Sequence, residues 1–282
     1  MQNKVFSNNK TLNLGGRLLQ LDKPKIMGIL NVTPDSFYDG GRYPDEKSIL
    51  LQVEKMLSEG ADFIDVGGYS SRPGADDLSE REEIERIVPV IKSILKKFPG
   101  CVVSIDTFRT AVAKSALDEG ALMINDISGG SLDPGMFNLV SEYRVPYILM
   151  HMKGTPQTMK SLASYDNLLK EITEYFQTRL SQLHQLGVAD VILDPGFGFA
   201  KTVEQNFELL QQLEFLKILN KPVMVGVSRK SMIWKTLEIE PEKALNGTTV
   251  LNTVALLKGA DILRIHDVKE AVEAVKLINF VK

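Results

Sequence analysis

The sequence predicts an α/β fold, a TIM (β/α)8 barrel preceded by a short N-terminal β-hairpin. From position 25 onward, short apolar β-rich runs alternate with longer segments of helical period, which is typical of strand–helix units around a parallel sheet. About eight such runs are present, the strand number of a TIM barrel. They are Ile26–Leu30, Phe63–Val66, Val102–Ile105, Leu122–Ile124, Tyr147–Met150, Val191–Leu193, Val223–Val225 and Ile262–Ile265.

The segments between the runs carry the apolar stripes of helices that pack on a sheet. One stripe consists of Ile84, Ile87, Val88, Ile91, Ile94 and Leu95. The last consists of Val268, Ala271, Val272, Val275 and Ile278, with Asp267 ahead of it as a predicted N-cap. Near the N-terminus, Gly15 and Gly16 stand between LNL and RLLQL, which predicts a hairpin placed to cover the barrel floor. An open doubly wound sheet is the alternative fold, but no G-x-G-x-x-G follows the first strand.

The composition is that of an ordinary globular protein, with 44% hydrophobic and 24% charged residues in a chain of 282. This excludes disordered and fibrous classes. No linker-like stretch divides the chain, so we predict one domain over residues 1–282, with the hairpin in 1–24 and the barrel in 25–282. The formal net charge of −3 gives no strong field of one sign, which argues against nucleic acid as a partner.

Cysteine usage and the N-terminus indicate a cytoplasmic protein without a membrane partner. The lone Cys101 excludes an intrachain disulfide framework and a zinc site of several cysteines, and it is expected to be buried. The first residues, MQNKVFSNNK, lack the apolar core of a signal peptide. No apolar run reaches the roughly 18 residues of a transmembrane helix.

Polar residues follow every predicted strand, at the end of a TIM barrel where active sites are built. The loops after the first two strands are long and polar, as expected of lids. We therefore expect Asp106, Asn125 and Asp194 on one side of the mouth, and Lys230, Arg264 and His266 on the other. Carboxylates accept paired N–H bonds from an aminopyrimidinone edge, whereas Arg and His donate to phosphate oxygens. The pattern therefore predicts a substrate in which a nitrogenous heterocycle is joined to an anion.

Taken singly, several of these residues also allow a structural interpretation. Asp106 and Asp126 could be helix N-caps, and Asp194, before a proline, could open a turn. Arg229 and Lys230 could be solvated residues at a helix start. His184 lies in a helical pattern and is expected on the surface or in packing, while His151 remains open between structure and function.

Nine stretches in order resemble the dihydropteroate synthases, a family of pterin-binding TIM barrels. They are GILNVTPDSF, GGYSSRPGA, SIDT, NDISGG, MHMKGTPQTM, DPGFGF, GVSRKS, NGT and LRIHDV, and they span Met27 to Asp267. The resemblance implies a transferase of folate biosynthesis that condenses 4-aminobenzoate with (7,8-dihydropterin-6-yl)methyl diphosphate. The expected products are 7,8-dihydropteroate and diphosphate.

The resemblance also implies roles for particular residues. Pterin binding falls on Asp106, Asn125, Asp194 and Lys230. Diphosphate and Mg²⁺ contacts fall on Asn31, Arg264 and His266, with Asn31 at the metal. The aminobenzoate side matches Ser71, Arg72, Pro73, Phe199, Lys230 and Ser231. Catalysis is expected to rest on Asp106, Asp194, Lys230 and Arg264, through magnesium-assisted loss of diphosphate and attack by the amine; a Schiff base at Lys230 is a minor alternative.

The chain departs from the family pattern in its second loop, where Tyr69 and Ser71 replace residues of the usual GGESTRPGA, and at Ala200, where a glycine often follows GFGF. Tyr69 replaces the carboxylate of that string with an aromatic ring. One rival interpretation is a methyltetrahydrofolate-dependent methyltransferase, which should lack the SRPGA and SRKS stretches. The other is a paralogue that binds pterin without turnover. The resemblance suggests a homodimer through the last helices and an enzyme of the class targeted by sulfonamides.

Overall fold

The barrel wall is an eight-stranded parallel sheet in a computed structural model that describes residues 10–32, 45–69 and 78–281. An antiparallel hairpin of β1 (Thr11–Leu14) and β2 (Arg17–Gln20) precedes it. The sheet contains β3 (Lys25–Asn31), β4 (Phe63–Gly67), β5 (Val103–Asp106), β6 (Met123–Asp126), β7 (Tyr147–Met150), β8 (Val191–Asp194), β9 (Met224–Val225) and β10 (Ile262–Ile265). The strand order is β8-β7-β6-β5-β4-β3-β10-β9, and a parallel bridge between Leu193 and Val223 joins the two ends. The predicted TIM barrel with its hairpin is therefore confirmed.

Helices separate the strands and cover the outside of the barrel. The α-helices of the described ranges are α1 (Glu46–Glu59), α2 (Glu80–Lys97), α3 (Thr110–Asp118), α4 (Met136–Tyr143), α5 (Leu168–Gln185), α6 (Val203–Gln211), α7 (Ser231–Thr236), α8 (Leu245–Leu257) and α9 (Val268–Ile278). Short 3₁₀ turns occupy Met159–Leu162, Leu213–Leu219 and Pro241–Lys243.

The predicted helix stripes face the sheet. In α2, Ile87, Ile91 and Ile94 are fully buried, and a capping box between Ser79 and Glu82 fixes the start of the helix. The final stripe is likewise buried or packed against the core. The expectation for Asp267 is only partly right, because this residue stands at the N-cap position of α9 without capping it. Its carboxylate instead accepts two hydrogen bonds from Arg229, from Nη2 at 2.7 Å and from Nε at 3.0 Å.

The hairpin closes the amino-terminal end of the barrel. Leu12 and Leu14 from β1, with Leu21, pack against a floor layer of inward side chains. That layer consists of Met27, Phe63, Met123, Ile148, Ile192, Met224 and Ile262. Because the floor is filled with apolar side chains, the carboxyl ends of the strands are left as the end that can hold a polar substrate.

Other expectations from the sequence have mixed outcomes. Cys101 is buried and His184 is exposed, as predicted. Most of the two long loops, with Ser71, Arg72 and Pro73, lies outside the described residues. Within the part of the chain that the structure describes, no helix is long and apolar enough to cross a membrane.

Candidate active site

Strand alternation carries the polar side chains into the barrel. Successive side chains of a strand point to opposite faces, so a residue two positions after a floor residue also points inward. This step leads from Phe63 to Asp65, from Met123 to Asn125, from Ile192 to Asp194 and from Ile262 to Arg264. These four side chains therefore form a polar layer directly above the apolar one. Asp106, bonded to Arg264, and Lys230, beside Asp194, complete this layer.

Arg264 lies at the centre of this layer. Its Nε donates to Oδ2 of Asp65 at 2.6 Å, and its Nη2 donates to Oδ2 of Asp106 at 2.6 Å. Asn125 Nδ2 donates to the same oxygen of Asp65 at 2.9 Å. Burial alone would lower the pKa of Arg264, but the carboxylates of Asp65 and Asp106 outweigh it and raise this pKa, so the guanidinium stays charged.

The two predicted pterin carboxylates are held in poorly solvated surroundings. Burial raises the pKa of Asp106 to about 7, with the negative charge of Asp65 adding to the effect and Arg264 opposing it. Burial also raises the pKa of Asp194, against the attraction of Lys230. Asp194 Oδ1 accepts a hydrogen bond from the backbone N–H of Gly196 at 2.8 Å. The Asp106 carboxyl group can therefore take part in proton exchange near neutral pH.

Lys230 enters the barrel from the start of α7 rather than pointing to solvent. Its ammonium group donates to the carbonyl oxygen of Phe197 and lies 4.7 Å from the ring centre of Phe199. Burial lowers its pKa to about 8, with Asp194 opposing the shift. Ser231 follows as the first residue of α7. The structure thus brings Lys230 and Phe199 together, as predicted, while Arg229 turns away to Asp267.

Two further predicted residues lie at the rim of the site. His266, two positions after Arg264, is exposed, and its Nδ1 is hydrogen-bonded to Ser228 Oγ at 2.9 Å. Asn31 is the last residue of β3 and follows the inward Met27 by four positions, so strand alternation places it on the inner face. Ser228, which sequence reasoning did not single out, orients the His266 ring.

Two residues left open by the sequence prove to be structural. Asp126 points out of the barrel, and its carboxylate accepts hydrogen bonds from the hydroxyl of Tyr147 at 2.7 Å and from two loop amides. His151 is buried, packs edge-on against Tyr175 and contacts Lys201 Nζ through its Nδ1 at 3.1 Å. Neither side chain joins the layer around Arg264.

An apolar cluster adjoins the polar layer. It contains Ile127, Met150, Met152, Met159 and Ala200, with Phe108 and Phe199 packed against it. Tyr69 extends this wall, with its ring edge-on to Phe108 at 5.2 Å and the Arg109 guanidinium 5.3 Å from the Tyr69 ring centre. Gln157 donates to the Tyr69 hydroxyl at 2.9 Å. The departure at Tyr69 therefore supplies an aromatic contact between loops where the usual family string has a carboxylate.

Sequence reasoning missed Asp65, which is 0% exposed and tied to Arg264. It lies inside the largely apolar run FIDVGG, two positions after Phe63, where it is hidden within a predicted strand. The available signal was the charge itself, since a carboxylate within a buried strand requires a partner. Lys201 was missed as well, although it directly follows the DPGFGF stretch and Ala200.

Comparisons with known proteins agree with this geometry. Residues 27–266 match the family model described as pterin binding enzyme. A dihydropteroate synthase of Escherichia coli K12 is 41% identical over 266 residues, 94% of each chain, and one of Synechocystis is 44% identical over 257 residues, 90% of this chain and 89% of the relative.

Two solved structures are also similar. A Yersinia pestis dihydropteroate synthase with a bound sulfonamide drug superposes with a TM-score of 0.90 at 40% identity, covering 96% of this chain and 99% of the other. A Xanthomonas albilineans dihydropteroate synthase with 4-aminobenzoic acid gives a TM-score of 0.89 at 37% identity, covering 96% and 97%.

Proposed function

This chain belongs to the dihydropteroate synthases, pterin-binding transferases of folate synthesis, and we propose that it acts by magnesium-assisted loss of diphosphate followed by attack of 4-aminobenzoate. The observation that carries the proposal is the inward layer of Asp106, Asn125 and Asp194 facing Arg264 and Lys230. Acceptors and donors of this kind suit the two ends of a pterin diphosphate.

The pterin end is assigned to the carboxylate side of the layer. Asp106 and Asp194 offer carboxylate oxygens to the amino and ring N–H groups of an aminopyrimidinone, and Asn125 offers an amide. Lys230 can donate to the pterin carbonyl, because its present acceptor is one backbone oxygen, that of Phe197. A pterin ring placed between these groups would lie beside the apolar wall that includes Phe199.

The diphosphate end is assigned to Arg264, His266 and Asn31. Two carboxylates hold the Arg264 side chain in place, so no further ordering of this side chain is needed when the diphosphate binds. For magnesium, Asn31 offers an amide oxygen, and buried Oδ1 of Asp65 has no hydrogen-bond partner among the described residues. Mg²⁺ takes few protein oxygens and completes its shell with phosphate and water, so this donor set fits. When bound, magnesium would neutralise charge on the diphosphate oxygens.

The reaction begins at the bond between the pterin methylene carbon and the diphosphate oxygen. This bond breaks and its electron pair leaves with diphosphate, while the pterin ring delocalises the positive charge. Arg264 and His266 stabilise the leaving anion, and the carboxylates of Asp106 and Asp194 favour the cationic pterin. The amine nitrogen of aminobenzoate then forms the new C–N bond and gives up one proton to solvent water. No covalent bond to Lys230 is required.

The aminobenzoate side is assigned to Phe199, Lys230 and Ser231, together with Ser71, Arg72 and Pro73 outside the described residues. The same side is proposed to take sulfonamides, because a related synthase binds such a drug. Sulfonamide inhibition that rises as aminobenzoate is lowered would support this assignment. Inhibition independent of aminobenzoate would contradict it.

Release of diphosphate tests the function directly. Purified protein with Mg²⁺ and the pterin diphosphate should release diphosphate only when aminobenzoate is added, and Lys230→Ala should abolish the release. Lys235→Ala, an exposed lysine of the same helix, is the matched control. Pterin binding by calorimetry without any release would instead identify a non-catalytic paralogue.

The order of bond breaking is tested with ¹⁸O in the bridging position of the pterin diphosphate. If ionisation comes first, the label should scramble into the non-bridging oxygens of unreacted substrate. A label that stays in place at partial conversion would favour concerted displacement by the amine.

We propose a homodimer through the outer face of α8. This helix is apolar around most of its circumference, which is unusual for a surface helix. Val250 and Leu257 are 53% and 50% exposed, and Phe215 and Ile218 in the neighbouring 3₁₀ turn are 60% and 79% exposed. Light scattering should give the dimer mass, and Leu257→Glu should halve it. Leu18→Glu, at an exposed leucine of the hairpin, is the control, and a monomeric wild type would refute the proposal.

A further inference from the structure

We propose that Lys201 is a positioning residue, whose ammonium group holds the Pro195–Ala200 loop in the form that presents Phe199 and Lys230 to the substrates. The inference rests on the proposed function. It is carried by the hydrogen bonds of this loop, which connects β8 to α6, and by the neighbouring His151.

The loop has a backbone that turns its carbonyl groups sideways. Gly196, Gly198 and Ala200 adopt left-handed conformations, with φ of 72°, 79° and 46°. At Gly196 a Cβ would meet the carbonyl oxygen of His151 at 2.1 Å, so this position requires glycine. Carbonyl groups turned out of regular structure in this way need donors from elsewhere.

Two lysines and one tyrosine supply those donors. Lys201 Nζ donates to the carbonyl oxygens of Gly196 at 3.0 Å and Phe199 at 3.1 Å. The ammonium group of Lys230 donates to the carbonyl oxygen between them, that of Phe197. The Tyr165 hydroxyl donates to Ala200 at 2.9 Å. Lys201 therefore acts on the same short loop as Lys230, whose role is in the proposed reaction.

The third acceptor of Lys201 is a histidine. An ammonium group has three donors and no acceptor, and the contact with His151 Nδ1 at 3.1 Å completes the set. His151 must then be neutral, with its proton on Nε2. Burial lowers the pKa of His151 well below its usual value, and the charge of Lys201 adds to this effect, so the neutral ring is the expected form.

The charge of Lys201 is easily lost. Burial lowers its pKa to about 7, while the carboxylate of Asp194 favours the charged form. Lys230 and Lys153 oppose it by repulsion. A neutral amine has two donors and one lone pair. Its bonds to the two loop carbonyls lose their charge and weaken, and its contact with His151 persists only if the ring carries its proton on Nδ1.

The loop is therefore expected to loosen as Lys201 loses its proton. The groups facing Lys201 are Asp194 at the end of β8, His151 and Lys153 after β7, and Lys230 before α7. Tyr165 faces the same loop through its hydroxyl. None of the other side chains replaces the donor that Lys201 gives up.

The test compares variants of the two partners. Lys201→Met removes the ammonium group, and His151→Leu removes its acceptor, whereas His151→Asn keeps an oxygen near the position of Nδ1. We expect His151→Leu to raise KM for aminobenzoate about tenfold, the effect of one lost charged hydrogen bond. Lys201→Met should raise it further, because it also removes both bonds to the loop carbonyls. The kcat should stay within about threefold, because the contacts of Arg264 are unchanged. Lys170→Met, at an exposed lysine, is the control.

The pH profile separates positioning from general damage to the fold. In the wild type, KM for aminobenzoate should rise above the Lys201 pKa of about 7. The rise should move to lower pH in His151→Leu, stay in place in His151→Asn and disappear in Lys201→Met. An unchanged KM and profile in Lys201→Met would overturn the inference, and if that variant does not fold, the two His151 variants decide.

A failure of the proposed function is distinguishable from a failure of this inference. If the wild type releases no diphosphate, the function is refuted. Calorimetric affinity for the pterin diphosphate then tests the loop alone, because Lys230 contacts the loop. Weaker affinity in Lys201→Met and His151→Leu, with affinity retained in His151→Asn, supports the positioning role. Equal affinity in all variants refutes it.

Discussion

Replacing Asp65 with asparagine should destabilise the protein and disorder its polar layer. The Asp65 carboxylate is 0% exposed, and its Oδ2 accepts from Arg264 at 2.6 Å and from Asn125 at 2.9 Å. An asparagine at this position has no charge to offset the guanidinium. Arg264 would then depend on Asp106 alone, and its direction towards the diphosphate end would change.

The magnitude follows from the burial of the pair. Removing one partner of a buried ion pair costs about 3–5 kcal/mol. Arg264 keeps Asp106 at 2.6 Å, and its side chain is 19% exposed, so we expect the lower end, about 3 kcal/mol. For a chain of this size, about 2 °C of melting temperature per kcal/mol gives a fall of about 6 °C.

A double-mutant cycle isolates the interaction. Unfolding by urea is measured for the wild type, Asp65→Asn, Arg264→Met and the double variant, with an expected coupling of about 2 kcal/mol. The same cycle at Arg81 and Glu85, an exposed pair at 2.7 Å, is the control and should show no measurable coupling. Effects at Asp65 and Arg264 that add within about 0.5 kcal/mol would refute the reasoning.

Four other predictions concern single groups. Burial raises the pKa of the Cys101 thiol to about 12, so a disulfide reagent at pH 8 should label it only as fast as the protein unfolds; rapid labelling of native protein would contradict this. Asp126→Asn should lower the unfolding free energy by about 1–2 kcal/mol through its contact with Tyr147, leaving calorimetric pterin affinity unchanged. Burial raises the pKa of Asp106 to about 7, so its contribution to stability is complete below about pH 4 and is lost as pH rises through 7. The free energy of unfolding should fall less between pH 5 and pH 8 in Asp106→Asn than in the wild type. Tyr69→Phe keeps the ring of the loop contact, so its kcat/KM should stay within about threefold of the wild type, while Tyr69→Ala should fall further.

The strands could be predicted because their runs are buried on both faces and bounded by polar loops. The observed ends differ in one consistent way. β3, β5 and β8 extend to Asn31, Asp106 and Asp194, which were expected just after the strands. The backbone of a polar residue at the carboxyl end still pairs with the neighbouring chain. The Asp194 carbonyl oxygen, for example, accepts a hydrogen bond from the His151 N–H at 3.0 Å. In these three strands the apolar run therefore ends before the strand does, and the site residues are more rigidly held than loop residues would be.

The candidate site could be predicted where a polar residue followed a strand, but not where a charge was hidden inside one. Asp106, Asn125, Asp194, Lys230 and Arg264 were all expected at the mouth. Asp65 was not, because its partner Arg264 is 199 positions away and a single sequence does not show that contact. Asp126 is the opposite case, a polar residue after a predicted strand that takes no part in the site. It follows Asn125 on the same strand, and its carboxylate therefore points out of the barrel.

The charges of the polar layer give a physical reason for the proposed magnesium. Asp65, Asp106 and Asp194 stand against Arg264 and Lys230, so among the described side chains of the layer three carboxyl groups face two cations. A diphosphate entering this layer meets no surplus of positive charge. Protonation of Asp106, whose pKa is about 7, removes one negative charge without adding a positive one. This balance of charge favours the proposed divalent ion, which would arrive with the diphosphate and would leave the carboxylates ionised to favour a cationic pterin.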